Sequence, residues 1–187
     1  ALVLIHREDD VWNVHPYFWT PEQGISERSQ RDRVPYDIWA RDGYLRTTPG
    51  ATIDYEFIAT EIAEILGGEF VSAIAYDRWR IDLMKRELDR IGLDLPLVPH
   101  GQGYKDMSPA LDSTESELLN ARLRHGGHPV LTMCAANAVV MQDPSGNRKL
   151  AKDKSTGRID GMVALCMAIA AAAGEVQEYA IGRLVAL

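Results

Sequence analysis

The sequence predicts a single α/β domain, and three observations carry that expectation. A near-continuous apolar run at 70–76 reads as a strand covered on both faces. A second short apolar run, 95–98, follows it, and the intervening 78–91 places Ile81, Met84, Leu88 and Ile91 at helical spacing before Gly92. Strand, amphipathic helix and strand in that order make a βαβ unit whose crossover should be right-handed. At 187 residues the chain matches the common single-domain size of about 100–200 residues.

The flanking elements follow from local chemistry. Residues 1–5 are apolar, Arg7-Glu8-Asp9-Asp10 make a polar turn, and 11–19 resume with β-favouring residues, which predicts a hairpin. Residues 20–43 are polar and poorly periodic, punctuated by Pro21, Gly24, Pro35 and Gly43. They read as a long excursion with one short helix near 26–33. A short strand at 44–48 precedes a helix capped by Thr52 or Asp54, with Ile58, Ile62, Ile65 and Leu66 on its apolar face and Gly67-Gly68 at its end. Downstream, a helix is expected over 108–124 and an apolar helical stretch near 130–140. Asp143-Pro144-Ser145-Gly146-Asn147 signals a turn between two short strands, and a long helix should span 158–173. The core is expected over 1–173, with 174–187 a C-terminal tail or the start of a further segment.

Composition narrows the function. A hydrophobic fraction of 46% and a charged fraction of 25% are those of an ordinary globular chain. The longest uncharged apolar stretch, 161–174, is too short to span a bilayer. The first residues lack the basic flank and length of a secretory signal. Cys134 and Cys166 lie in apolar helical surroundings without metal-ligand spacing, and read as buried thiols in a reducing compartment. The net charge of −7 opposes nucleic-acid binding in sum but not in distribution. Between 148 and 158, Arg148, Lys149, Lys152, Lys154 and Arg158 face a single acid, Asp153.

Two aspartates carry the candidate chemistry. Asp77 ends the apolar run at 70–76, and Asp160 opens the Ala-rich helix directly after the basic segment. A strand tip holds a carboxylate rigidly, and the first turn of a helix favours one through the helix dipole. Brought together, they would form a hard oxygen site for divalent ions, suited to phosphodiester hydrolysis. Other candidates are weaker. His125 and His128, separated by two glycines, read as a surface turn rather than a zinc site. Gly101-Gln102-Gly103 is too short for a phosphate loop, and no Gly-Lys-Ser/Thr motif occurs. Asp54 reads as a helix-terminal acid, Asp82 as a solvated helix residue, and Trp12, Trp19, Trp39 and Trp79 as core or partly buried side chains.

An ordered series of segments adds a family resemblance. It comprises Val34-Pro35-Tyr36-Asp37-Ile38-Trp39-Ala40, Thr48-Pro49-Gly50-Ala51-Thr52-Ile53-Asp54-Tyr55, Ala75-Tyr76-Asp77, Gly101-Gln102-Gly103 with Met107-Ser108-Pro109, Asn137-Ala138-Val139-Val140 and Arg158-Ile159-Asp160-Gly161. Together these resemble the C-terminal nuclease domain of the large terminase subunit of tailed double-stranded DNA bacteriophages. The resemblance implies an RNase H-like fold, a mixed five-stranded sheet flanked by helices, and a site of three acids binding Mg²⁺ or Mn²⁺, two ions in all. Asp77 and Asp160 match the second and third acids. The first acid, and the first strand that bears it, have no counterpart and would precede Ala1.

The implied activity is endonucleolytic cutting of concatemeric viral DNA during packaging in the host cytoplasm. Lys149, Lys152, Lys154 and Arg158 would contact phosphates. The implied partners are duplex DNA, an ATP-hydrolysing motor domain, the portal and the small terminase subunit, with no membrane. Two alternatives stand beside it: a non-catalytic DNA-binding or docking module, and a nuclease of the resolvase or integrase kind.

Overall fold

Alternating side chains let the N-terminal hairpin serve as the middle layer of the structure. The computed structural model describes residues 1–79 and 81–185, with side chains up to 173. Strands β1 (Leu2–Glu8) and β2 (Val11–Tyr17) pair antiparallel from Leu2 opposite Tyr17 to Glu8 opposite Val11. The connecting Asp9 and Asp10 take φ of 47° and 64°, the left-handed pair that a two-residue hairpin turn demands. Val3 and Val14 enter one apolar cluster, while Leu2 and Leu4 pack into another on the opposite face.

The excursion that follows is more structured than its polar composition suggests. β3 (Trp19–Pro21), α1 (Ile25–Asp32), α2 (Tyr36–Arg41) and β4 (Arg46–Thr48) occupy it, with β3 and β4 paired in parallel. Helix α3 (Tyr55–Leu66) has Asp54 as its cap, accepting the Phe57 N–H at 3.0 Å. Its Ile58, Ile62 and Leu66 cover the Leu2 and Leu4 face of the hairpin.

The expected βαβ unit forms as β5 (Ile74–Asp77), α4 (Ile81–Arg90) and β6 (Leu97–His100), with the strands parallel and Asp77 opposite His100. Then come α5 (Tyr104–Leu119), β7 (Leu123–Arg124), α6 (Pro129–Asn137), β8 (Val140–Gln142), β9 (Arg148–Leu150) and α7 (Asp160–Val185). The expected turn between β8 and β9 is built on the Asp143 carboxylate, which accepts the Ser145 and Asn147 N–H groups at 2.9 Å. Helices α6 and α7 cover the Val3 face through Val130, Leu131, Cys134, Leu165 and Ile169. The last helix runs to Val185.

A mixed sheet forms, as expected, in β1-β2-β7, while β3-β4 and β8-β9 are separate two-stranded ladders and so is β5-β6; the site concerns β1-β2-β7 and β5-β6. Between them lies a cavity of about 1470 Å³, bordered by every residue of 1–7 and of 69–77. A strand face would present only alternate residues, so consecutive contact means that both strands turn their edges toward the cavity. This corrects the reading of 70–76 as a strand covered on both faces. Only 74–77 form a ladder, all four half-buried, and Phe70 is 91% exposed. With a neighbour on one side only, the upstream half of that apolar run has no second edge to pair with.

Candidate functional site

Asp77 is the final residue of β5, at its C-terminal tip. Its Oδ1 accepts the backbone N–H of Trp79 at 3.1 Å, closing a local turn that fixes the carboxylate as the chain leaves the sheet. Asp160 is the first residue of α7 and is seated by its neighbours. Ile159 is buried at 2% exposure, and Gly161 lies so close to the core that an added Cβ would come within 2.8 Å of Phe18 Cζ and 3.1 Å of Leu131 Cδ1. The carboxylate itself stays half-exposed, with Lys152 Nζ 3.4 Å from Oδ1. Both carboxylates border the cavity between the two sheet parts, Asp77 from β5 and Asp160 from α7.

The basic segment divides in two. Lys152 and Arg158 border the same cavity as the aspartates. Lys149 does not: its ammonium sits 4.8 Å from the Tyr104 ring centroid, a cation–π contact on β9. Lys154 is exposed in the loop before α7, also away from the cavity. Arg148 is engaged by Asp112 and, at 2.8 Å, by Glu115.

The loop that delivers Arg158 and Asp160 is held by Asn137, the last residue of α6. Thr156 Oγ1 donates to Asn137 Oδ1 at 3.1 Å, and Asn137 Nδ2 donates to the Arg158 carbonyl at 3.2 Å. Gly157 makes room for this amide, since a Cβ there would stand 2.7 Å from Asn137 Nδ2. In the sequence the Asn137 segment is marked only by the family pattern. Its partners lie 19 and 21 residues away, a separation no local signal spans.

Two further readings change. Trp79 is 78% exposed and borders the cavity, whereas Trp12, Trp19 and Trp39 are half-buried as expected. The His125–His128 segment is a turn, with Gly126 and Gly127 exposed at φ of 63° and 68°, and its histidines are half-buried. His128 packs 5.4 Å from the Phe18 ring and 5.2 Å from Tyr44, and the Nδ1 atoms of both histidines are buried without a hydrogen-bond partner. Burial pushes the His128 imidazole below its ordinary pKa. Cys134 and Cys166 are buried free thiols, as expected, and burial pushes both upward.

The donor chemistry at the cavity suits a hard divalent ion. Mg²⁺ binds through one or two carboxylates and fills its remaining positions with water and phosphate oxygens. Asp77 and Asp160 are carboxylates of that kind, on two rigid elements beside one cavity. Among the described residues, no group of three or more His, Cys, Asp or Glu side chains is gathered closely enough to hold an ion. The residues present therefore fit part of a two-ion donor set.

A mixed sheet with helices on both faces, and acids at a strand tip and a helix start around one cavity, defines a class that comparison with known proteins identifies. The family model described as the terminase large subunit, endonuclease domain, matches residues 1–175, and the chain belongs to that family. It is 59% identical over 179 residues to the terminase large subunit of Enterobacteria phage HK97, across 95% of this chain and 36% of that protein. The crystal structure of the HK97 bacteriophage large terminase superposes with a TM-score of 0.86 at 58% identity, covering 90% of this chain and 36% of that one. The protein YmfN of Escherichia coli strain K12 is 29% identical over 164 residues, 84% of this chain and 36% of its own length. The chain thus spans about a third of the length of these relatives. The expected fold, a mixed α/β sheet flanked by helices, is shared with the HK97 structure. No helix among the described residues is long and apolar enough to cross a membrane.

Proposed function

We propose that this domain is a metal-dependent endonuclease that cuts concatemeric double-stranded DNA during viral genome packaging. The observation that carries the reading is that Asp77, from β5, and Lys152, Arg158 and Asp160, from the segment that leads into α7, border one cavity. Asp77 and Asp160 would hold Mg²⁺ or Mn²⁺, which in a two-ion site supplies an activated water and neutralises the leaving oxygen. Arg158 and Lys152 would bind the phosphates flanking the scissile bond, positioning the duplex without reading its sequence. Lys152 has a second role before substrate arrives, because its ion pair partly neutralises Asp160. Lys149 and Lys154 would extend the phosphate track beyond the cavity.

The third acid of the site would stand on an extended segment lying between the open edges of β1 and β5. Such a segment could hydrogen-bond to both edges and place a carboxylate beside Asp77. The cavity, at about 1470 Å³, exceeds the usual small-ligand range of about 300–1,000 Å³. In the packaging machine the further partners would be an ATP-hydrolysing motor domain, the portal and the small terminase subunit, assembled in the host cytoplasm.

A second reading, a DNA-binding or docking module without catalysis, draws support from the absence of a third clustered acid among the described residues. Plasmid nicking with Mg²⁺ or Mn²⁺ separates the two. The nuclease reading expects nicking that Asp77→Asn and Asp160→Asn each abolish. Nicking that survives both changes sinks the assigned site, and DNA retention without any nicking favours the second reading.

A further inference from the structure

His100 ends β6 where Asp77 ends β5, and the two are direct partners in the parallel ladder. Partnered residues on neighbouring strands project from the same face of a sheet, with the strands about 4.8 Å apart. Their neighbours show which face this is. Tyr76 turns toward α4, where its hydroxyl accepts from Lys85 Nζ at 2.9 Å. Ala75 packs on the opposite side, against the cluster that holds Val163, Cys166 and Met167 of α7. Side chains alternate along a strand, so Asp77 and His100 share the α7 side. The loop after His100 is held there too, because Gln102 Nε2 donates to Met167 Sδ at 3.2 Å.

The imidazole is set in one tautomer. His100 Nδ1 lies 2.9 Å from the Gly101 carbonyl oxygen, which can only accept, so Nδ1 carries the proton. The lone pair is left on Nε2, which has no hydrogen-bond partner among the described residues. Metal-binding histidines are prepared in this way, with one ring nitrogen donating to a carbonyl or carboxylate and the other free to ligate. Asp77 is prepared in the same sense. Its Oδ1 accepts from Trp79, and its Oδ2 has no hydrogen-bond partner among the described residues.

We propose that His100 is a metal ligand, binding through Nε2 a divalent ion that Asp77 holds through its carboxylate. The inference rests on the endonuclease reading above and adds a nitrogen donor to its metal site. Adjacent strand tips suit one ion between them, since carboxylate oxygen and imidazole nitrogen both bind at about 2.0–2.2 Å. Among the described residues, no three His, Cys, Asp or Glu side chains gather about one point. His100 therefore serves one side of a two-ion site and Asp160 the other, with Asp77 as the shared ligand. A nitrogen donor also bears on the choice of ion. Mg²⁺ favours oxygen ligands, so His100 tilts the site from Mg²⁺ toward transition ions.

The intact chain is loaded with Mn²⁺ in the absence of DNA. Binding is followed by calorimetry, and the ligands by pulsed electron paramagnetic resonance, which detects a directly bonded imidazole nitrogen. The wild-type protein should bind Mn²⁺ with imidazole-nitrogen modulation. His100→Gln should lose that modulation and bind Mn²⁺ about tenfold more weakly, the low end of what removing even an outer-shell partner costs. Its affinity for Mg²⁺ should fall less. Circular dichroism checks the fold, and His100→Asn serves in its place should His100→Gln unfold. Nitrogen modulation that survives both changes belongs to another histidine and overturns the inference. Mn²⁺ that binds without nitrogen modulation, and is lost in Asp77→Asn, overturns the inference alone. No Mn²⁺ binding, or binding indifferent to both Asp77→Asn and Asp160→Asn, overturns the metal reading beneath it.

Discussion

The side-chain amide of Asn137 donates to the carbonyl of Arg158 at 3.2 Å, tying the end of α6 to the loop that presents the basic and acidic groups of the site. The same amide accepts from Thr156, so one residue fixes both sides of Gly157. Asn137→Ala removes both bonds. Each hydrogen bond is worth about 0.5–1.5 kcal/mol net, so global stability should fall by about 1–3 kcal/mol. Nicking should fall on the order of 10–100-fold, because a small misplacement of positioned groups is costly to rate. Parallel loss of stability and activity in proportion, with normal nicking at low temperature, would show that Asn137 supports the fold and not the site.

Gly161 has a complementary role. Phe18 and Leu131 occupy the space that a Cβ at 161 would need. Gly161→Ala should therefore push the first turn of α7 off the core at an overpacking cost of about 1–3 kcal/mol. Thermal unfolding should register the loss, and Asp160, one residue away, should lose nicking activity with it. A variant as stable and active as wild type would mean that Phe18 yields without moving the helix.

Lys152 and Arg158 should dominate the salt dependence of DNA binding. Each phosphate contact contributes about −0.9 to the slope of log K against log salt on duplex DNA. Lys152→Ala and Arg158→Ala should each reduce that slope by about one. Lys149→Ala and Lys154→Ala, away from the cavity, should reduce it less. Equal effects from all four would describe a diffuse basic surface in place of a site.

His128 should make stability depend on pH on the acid side. Burial disfavours its charged form, so its folded pKa lies below the unfolded value of about 6.5. As pH falls through that value the unfolded chain takes up the proton first, and the folded state loses stability until pH reaches the folded pKa. Above the unfolded value the effect vanishes. His128→Gln should flatten this part of the profile of unfolding temperature against pH. An identical acid-side profile for the variant would assign the effect to other groups.

Much of the fold is legible where one residue pattern decides an element. Ile58, Ile62 and Leu66 with the Asp54 cap define α3, and Asp143 to Asn147 define the β8–β9 turn. Asp77 and Asp160 stand out because each bounds an otherwise apolar run. What escapes the sequence depends on distant partners. The two residues of β7, Leu123 and Arg124, become a strand only because β2 lies beside them. The β3–β4 ladder joins residues 27 apart, from Trp19 to Arg46, with no turn signal to mark it. Residues 70–73 have the composition of a strand but no edge to pair with. Trp79 is apolar by type yet 78% exposed, which no periodicity reports.

Asp77 and Asp160 are proposed to hold the divalent metal together. Diffraction from crystals of the protein soaked in Mn²⁺, recorded at a wavelength where manganese scatters anomalously, tests it directly. Anomalous density is expected in the cavity within coordination distance of both carboxylates, and is expected to be lost in Asp160→Asn. Density bound elsewhere, with both carboxylates unliganded, would contradict it.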